Sequence, residues 1–198
     1  MSYENIEKQE KEYGVGQSAF YKLQIGANRV RIVSEPGFLP QHWNNQIADY
    51  CPGIHGNCEQ CARAMAAPED AAKKLRAQIR YCFLAIDRID GIVKIVQFPK
   101  SIYNEIKELK KSSDYHWETK EMPYDITITK KKTGEHPMNV KYSILPGKET
   151  ALTEEEKAQI AKARTVEQYI EGIKNKSKEE KNVKDTMDDI INDVPFQD

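Results

Sequence analysis

Three of the four cysteines of this chain fall in one short string, Cys51-Pro52-Gly53-Ile54-His55-Gly56-Asn57-Cys58-Glu59-Gln60-Cys61. A secreted disulfide scaffold is usually shorter and richer in cysteine. A redox Cys-x-x-Cys needs a thioredoxin-like βαβ setting, which this Gly/Pro-rich loop does not provide. Zinc needs four N or S ligands in a tetrahedron and often takes a Cys-x-x-Cys knuckle as half of them. Cys58 and Cys61 form that knuckle and Cys51 is a third ligand. The fourth is His42 or His55. His55 lies inside the loop between Gly53 and Gly56; His42 lies nine residues upstream of Cys51, beside Trp43, and ties a second stretch of chain to the metal. No catalytic partner accompanies the cluster, so the expected site is closed and structural. Cys82 falls in an apolar strand and is expected as a buried core thiol.

The formal net charge of the 198 residues is −1, but it is unevenly distributed. Residues 1–19 are net −2, residues 20–148 are net +6 and residues 149–198 are net −5. A basic body followed by an acidic end points to a polyanion partner. No apolar run approaches the ~20 residues that span a bilayer. The start, Met1-Ser2-Tyr3-Glu4, lacks the layout of a secretory signal. A cytoplasmic protein with no membrane partner is expected.

The periodicity is mainly β with helices. Phe20–Ile25 and Arg29–Val33 read as strands around a Gly26-Ala27-Asn28 turn. Cys61–Arg76 reads as helical, broken at Pro68. Arg80–Arg88 and Ile92–Phe98 form a hairpin at Asp90-Gly91, and Pro99–Lys111 has helical spacing at Ile102, Ile106 and Leu109. Tyr124–Lys131 and Met138–Leu145 pair across Thr133-Gly134-Glu135. A helix between the earlier and the final strands is how a five-stranded OB barrel is built; the pattern alone also fits a β-sandwich with an inserted helix. The expected domains are an arm at 1–19, an OB-fold core at 20–148 with the zinc loop at about 38–76, a helical segment at 149–175, and a disordered acidic tail at 176–198. Capping boxes open helices at Thr153 and Thr165. Val166, Tyr169, Ile170 and Ile173 form an apolar stripe that packs on the body.

Binding single strands without sequence preference needs cations along the backbone and aromatic faces for bases. These types are interleaved in the body: Arg80 with Tyr81, Phe98 with Lys100, Tyr124 with Lys130, Lys131 and Lys132, and Lys141 with Tyr142. Strand parity puts Cys82, Leu84 and Ile86 on the core face, and Tyr81 and Phe83 on the other. Arg29 and Arg31 alternate with Val30 and Ile32 and are expected in solvent. The candidate DNA contacts are Arg29, Arg31, Trp43, Lys73, Lys74, Arg76, Arg80, Tyr81, Phe83, Lys94, Phe98, Lys100, Tyr124, Lys130, Lys132 and Tyr142. No paired-carboxylate, nucleophile or phosphate-loop motif appears, so no enzyme is expected.

Asn28-Arg29-Val30-Arg31-Ile32-Val33, the spacing His42…Cys51…Cys58-x-x-Cys61, the strand Cys82–Asp87, the run from Gly91 to Tyr103, Tyr124–Thr129 and Val140-Lys141-Tyr142 occur in one order. That order resembles the single-stranded DNA-binding (helix-destabilising) proteins of T-even and other tailed phages. The resemblance covers roughly residues 20–148. It implies an OB fold with an inserted zinc subdomain, a preference for single strands, and a role in phage DNA replication, recombination and repair in the host cytoplasm. The family's metal pattern places its His upstream of the first Cys, which favours His42. The T-even proteins self-associate through a basic amino-terminal arm; residues 1–19 here are acidic, so a monomer or weak self-association is expected. The end, Asp188-Asp189 through Asp193-Val194-Pro195-Phe196, resembles the acidic tail of bacterial single-stranded DNA-binding proteins, which implies docking on replication or recombination proteins. The rivals are a zinc-containing regulator of duplex DNA and a zinc-stabilised adaptor.

Overall fold

A computed structural model describes residues 20–44, 47–53, 58–135 and 139–177. The described strands are β1 (Phe20–Tyr21), β2 (Gly26–Ile32), β3 (Gly37–Asn44), β4 (Ile47–Tyr50), β5 (Gln78–Asp87), β6 (Val93–Phe98), β7 (Tyr124–Lys132) and β8 (Val140–Glu149). The helices are α1 (Glu59–Ala66), α2 (Glu69–Leu75), α3 (Lys100–Lys111) and α4 (Glu154–Lys162). Residues 166–177 are also helical and are called α5. The chain divides into two compact units. The first holds the described residues of Met1–Glu35, Phe83–Gln97 and Ser101–Ala163; the second holds those of Pro36–Cys82, Phe98–Lys100 and Arg164–Asp198.

The sheet is mixed, with eight strands among the described residues. In the first unit the strand order is β1-β6-β5-β2-β7-β8. Short β1 runs parallel to β6, while β2 lies antiparallel between β5 and β7. No pairing joins β1 to β8, so the described strands do not close into a barrel. The side-chain period of two sorts the faces. Val30, Ile126 and Ile128 are fully buried on one face. Arg29, Thr127 and Leu145 form a cross-strand row on the other. Gly91, at φ 71°, supplies the left-handed residue of the β5–β6 turn. α3 buries Ile102 and Ile106, and its Glu105 accepts a hydrogen bond from the Ile144 amide of β8 at 3.0 Å.

Buried ion pairs hold the covered end of this sheet. Arg31 is 1% exposed. It donates to Asp125 Oδ1 at 2.8 Å and to both the carbonyl and the hydroxyl of Thr150. Arg29 and Arg88 also reach Asp125, at 2.8 and 2.9 Å. Burial alone would raise the Asp125 pKa, but hydrogen bonds from Arg88 and Arg31 hold it below the usual carboxylate range. Asn28 has a similar structural role: it accepts from Tyr21 Oη and the Gln24 amide, and donates to the carbonyls of Gln24, Gly26 and Ile128.

In the second unit β3 pairs with β4 and with the first half of β5. Gly37 lies under Val166 and Ile170 of α5, where a Cβ would collide with both side chains. This seats the apolar stripe: Val166 and Ile170 are buried. The Thr165 hydroxyl accepts from the Gln168 amide at 3.2 Å and Gln168 Oε1 accepts from the Thr165 amide at 3.0 Å, which caps α5. The box at Thr153 and Glu156 caps α4 in the same way.

Several sequence expectations need correction. Gly26-Ala27-Asn28 is not a turn; it is the start of β2, because Asn28 pairs with Ile128 and its side chain serves the neighbouring backbone. The strand at Phe20–Ile25 shrinks to Phe20–Tyr21. β8 continues through Pro146-Gly147 to Glu149, with a bulge opposite Tyr124 and Ile126 absorbing the irregularity. Residues 1–19 of the expected arm and 178–198 of the expected tail lie outside the described residues; residues 176 and 177, expected in the disordered tail, are instead the last of α5.

Candidate metal centre

β3 carries His42 and the segment after β4 carries Cys51, whose amide donates to the Pro40 carbonyl at 2.9 Å. Cys58 is the residue before α1, and Cys61 lies in its first turn. The single ligand atoms of these four residues all lie within 4.8 Å of one another. Cys51 Sγ is 3.4 Å from Cys61 Sγ and 3.9 Å from Cys58 Sγ. His42 Nε2 is 3.3 Å from Cys58 Sγ and 3.4 Å from Cys61 Sγ. A tetrahedral metal with bonds of about 2.3 Å to sulfur and 2.0–2.1 Å to nitrogen puts S···S edges near ~3.8 Å and S···N edges near ~3.6 Å. The observed spacings fit that tetrahedron, so the group could hold a metal ion.

The surroundings prepare the ligands. His42 is 2% exposed, and its Nδ1 lies 2.8 Å from the Leu75 carbonyl at the end of α2. A carbonyl only accepts, so Nδ1 carries the proton and Nε2 presents its lone pair to the sulfurs. The Gly53 amide donates to Cys51 Sγ at 3.3 Å. Burial, then hydrogen bonding and repulsion from Cys51 and Cys58, push the Cys61 thiol up to about 12. Three crowded sulfurs resist further negative charge, and a cation at their centre reverses that sign. The alternative ligand, His55, lies outside the described residues. Cys82 is fully buried and burial pushes its thiol up to about 12, as a core thiol requires.

The candidate DNA contacts fall into separate groups. In the first unit Arg29 and Lys132 are exposed, while Lys130 and Tyr142 are half-buried. In the second, Trp43 is 44% exposed, with the half-buried Arg80 guanidinium 5.5 Å from its ring centroid. Tyr81 meets the exposed Phe38 edge-on at 6.4 Å. Lys74 and Arg76 are exposed around the end of α2, Lys73 pairs with Glu69 and Asp70, and Lys100 is exposed at the start of α3.

Five candidates are not placed to meet a strand. Arg31 shares the face of Arg29, as alternation requires, but Asp125 and Thr150 cover it. Phe83 is 3% exposed because the second half of β5 is covered on both faces, every residue from Cys82 to Asp87 being buried. Phe98 is fully buried. Tyr124 is the centre of an aromatic cluster with Tyr115 and Trp117, and burial pushes its hydroxyl up to about 12. Lys94 is spent on Asp87 and Asp90. The tail candidates Asp188, Asp189, Asp193, Val194, Pro195 and Phe196 lie outside the described residues.

The register adds two cations that the contact list omitted. Lys131 of β7 stands directly opposite Lys141 of β8 on the exposed face of Arg29. Parity along each strand would have selected them over Lys130, whose Nζ turns in to the Leu23 carbonyl at 3.2 Å. No helix among the described residues is long and apolar enough to cross a membrane. No family model matches the chain, and no curated protein does.

Proposed function

We propose that this protein binds single-stranded DNA without regard to sequence, with zinc in the His42, Cys51, Cys58 and Cys61 group. The observation that carries the reading is the outer face of β2, β7 and β8. Arg29, Lys131 and Lys141 project there among the short side chains of Ala27, Thr129 and Ser143. Like charges directly opposite across strands are destabilising, and neither Lys131 nor Lys141 has an acidic partner among the described residues. A phosphate backbone supplies the missing anion, and counterion release makes that exchange favourable.

The strand order is a second support. β6-β5-β2-β7-β8, with α3 between β6 and β7, is the order of an OB fold open at one seam. The metal-bearing segment is an insertion between β2 and β5 in that scheme. Zinc would serve there as a structural cross-link, holding β3, α1 and α2 together near the exposed Trp43. The acidic end containing Asp193-Val194-Pro195-Phe196 is read as a docking segment for replication or recombination proteins, consistent with a role in phage DNA metabolism.

Charge reversal tests the face. Replacing both lysines, Lys131→Glu with Lys141→Glu, should weaken binding to oligo-dT and flatten the log–log salt dependence by about 1.4, at ~0.7 for each lost phosphate contact on a single strand. Unchanged affinity and slope in a folded double variant would remove these strands from the interface.

A further inference from the structure

The covered end of the same face holds an acid where a strand-binding surface would present a cation. Arg29 of β2 and Arg88, just past β5, are cross-strand neighbours; the Arg88 amide donates to the Arg29 carbonyl at 3.1 Å. Two guanidiniums so placed repel unless an anion lies against them. Asp125 supplies one anion and is saturated by Arg29, Arg31 and Arg88. The second is Glu156, whose Oε1 accepts from Arg88 Nη1. Three guanidiniums face two carboxylates, so the cluster retains one positive charge.

Glu156 belongs to α4, which has no buried residue. Beside α4 lies a cavity of about 600 Å³ lined by Met122, Pro123, Leu152, Ile160 and the Arg31 side chain, among others. A helix with no buried side chain is held largely by its polar contacts. Arg29 is 66% exposed at its side chain and gives Asp125 one bond, leaving other N–H groups toward solvent. Arginine forks match phosphate as well as carboxylate.

We propose that Arg88 and Arg29 form a phosphodiester site and that Glu156 of α4 occupies it when no strand is bound. The proposal rests on the strand-binding reading above and extends the path of the strand from Lys131 and Lys141 past Arg29 to Arg88. Binding exchanges the Glu156–Arg88 pair for a phosphate–Arg88 pair and releases the first turn of α4 from the sheet.

The test uses Glu156→Gln in the full chain. A glutamine at this position still completes the capping box with Thr153, so α4 keeps its cap while Arg88 loses its charged partner. Oligo-dT should bind the variant several-fold more tightly. Its salt dependence should stay nearly as it is, because the phosphate–Arg88 contact forms in both proteins and only the competing carboxylate is lost. Adding Arg88→Gln should abolish the gain in affinity and flatten the slope by about 0.7, the increment for one phosphate contact. In the unaltered protein, hydrogen exchange of residues 154–162 should rise when oligo-dT binds. If the unaltered protein binds oligo-dT but Glu156→Gln leaves the affinity unchanged, or α4 gains protection on binding, the stand-in role is overturned. Failure of the unaltered protein to bind oligo-dT would instead overturn the strand-binding reading beneath it.

Discussion

On the proposed reading of the His42, Cys51, Cys58 and Cys61 group as a zinc site, removing the metal should unfold α1 and α2 while leaving the first unit folded. These helices have 8 and 7 residues. Isolated helices shorter than ~12–15 residues are marginal in water. Each buries a single small side chain, Ala64 in α1 and Ala72 in α2. At about 0.8 kcal/mol per buried carbon, the two together contribute under ~2 kcal/mol, against a backbone ordering cost of about 1–2 kcal/mol for each residue. What ties the pair to β3 is Cys58 and Cys61 at one end and the His42–Leu75 hydrogen bond at the other. Structural zinc contributes roughly 10–16 kcal/mol in small zinc-dependent peptides, ample for this segment. Chelation, or Cys58→Ser, should therefore erase hydrogen-exchange protection across residues 59–75, lower helical ellipticity, and leave β2 and β7 protected. Metal release is followed by a colorimetric zinc indicator on the same sample. Protection of 59–75 that survives verified metal loss would refute the claim that the metal organises this segment.

Three further outcomes follow from the buried charges and the tryptophans. Asp125→Asn leaves Arg31 buried without its anion and should cost about 3–5 kcal/mol, the range for breaking a buried pair, measured by urea unfolding at neutral pH. Asp125 and Glu156 both have folded pKa values held below the ordinary carboxylate range. They therefore add stability that is fully present above that range and is lost as pH falls through it to their depressed values; the urea midpoint of the unaltered protein should drop there, and Asp125→Asn should blunt the drop. Trp43 is 44% exposed and Trp117 is 8% exposed. Fluorescence quenching by oligo-dT should therefore disappear in Trp43→Phe; quenching that persists would place the strand near Trp117 instead.

The group that could hold a metal ion was legible because its chemistry is local: a Cys-x-x-Cys knuckle and a third thiol declare themselves by spacing. The choice of His42 over the loop histidine was open from spacing alone, because it depends on β3 running back past the helix that ends at Leu75. The helix breaks at Pro68 and Gly91's turn were also local, each fixed by one residue's backbone. Burial was harder. Alternation placed Arg31 on the same face as Arg29, correctly, but not under Thr150, which lies 119 positions away in sequence. Phe83 and Tyr124 belong to residue types that stack on bases in solvent and fill cores elsewhere; only the packing shows that both faces of the second half of β5 are covered and that Tyr115 and Trp117 enclose Tyr124. Parity along each strand selects Lys131 and Lys141 singly; that they stand opposite each other needed the β7–β8 register.

The central claim is single-strand binding, and its most direct measurement is competition between oligo-dT and a duplex of equal length for the zinc-loaded protein across a salt series. The account predicts tight binding of oligo-dT at low salt, a steep loss as salt rises, and displacement by duplex only at much higher concentration. Equal affinity for the two forms, or no binding of either at low salt, would contradict it.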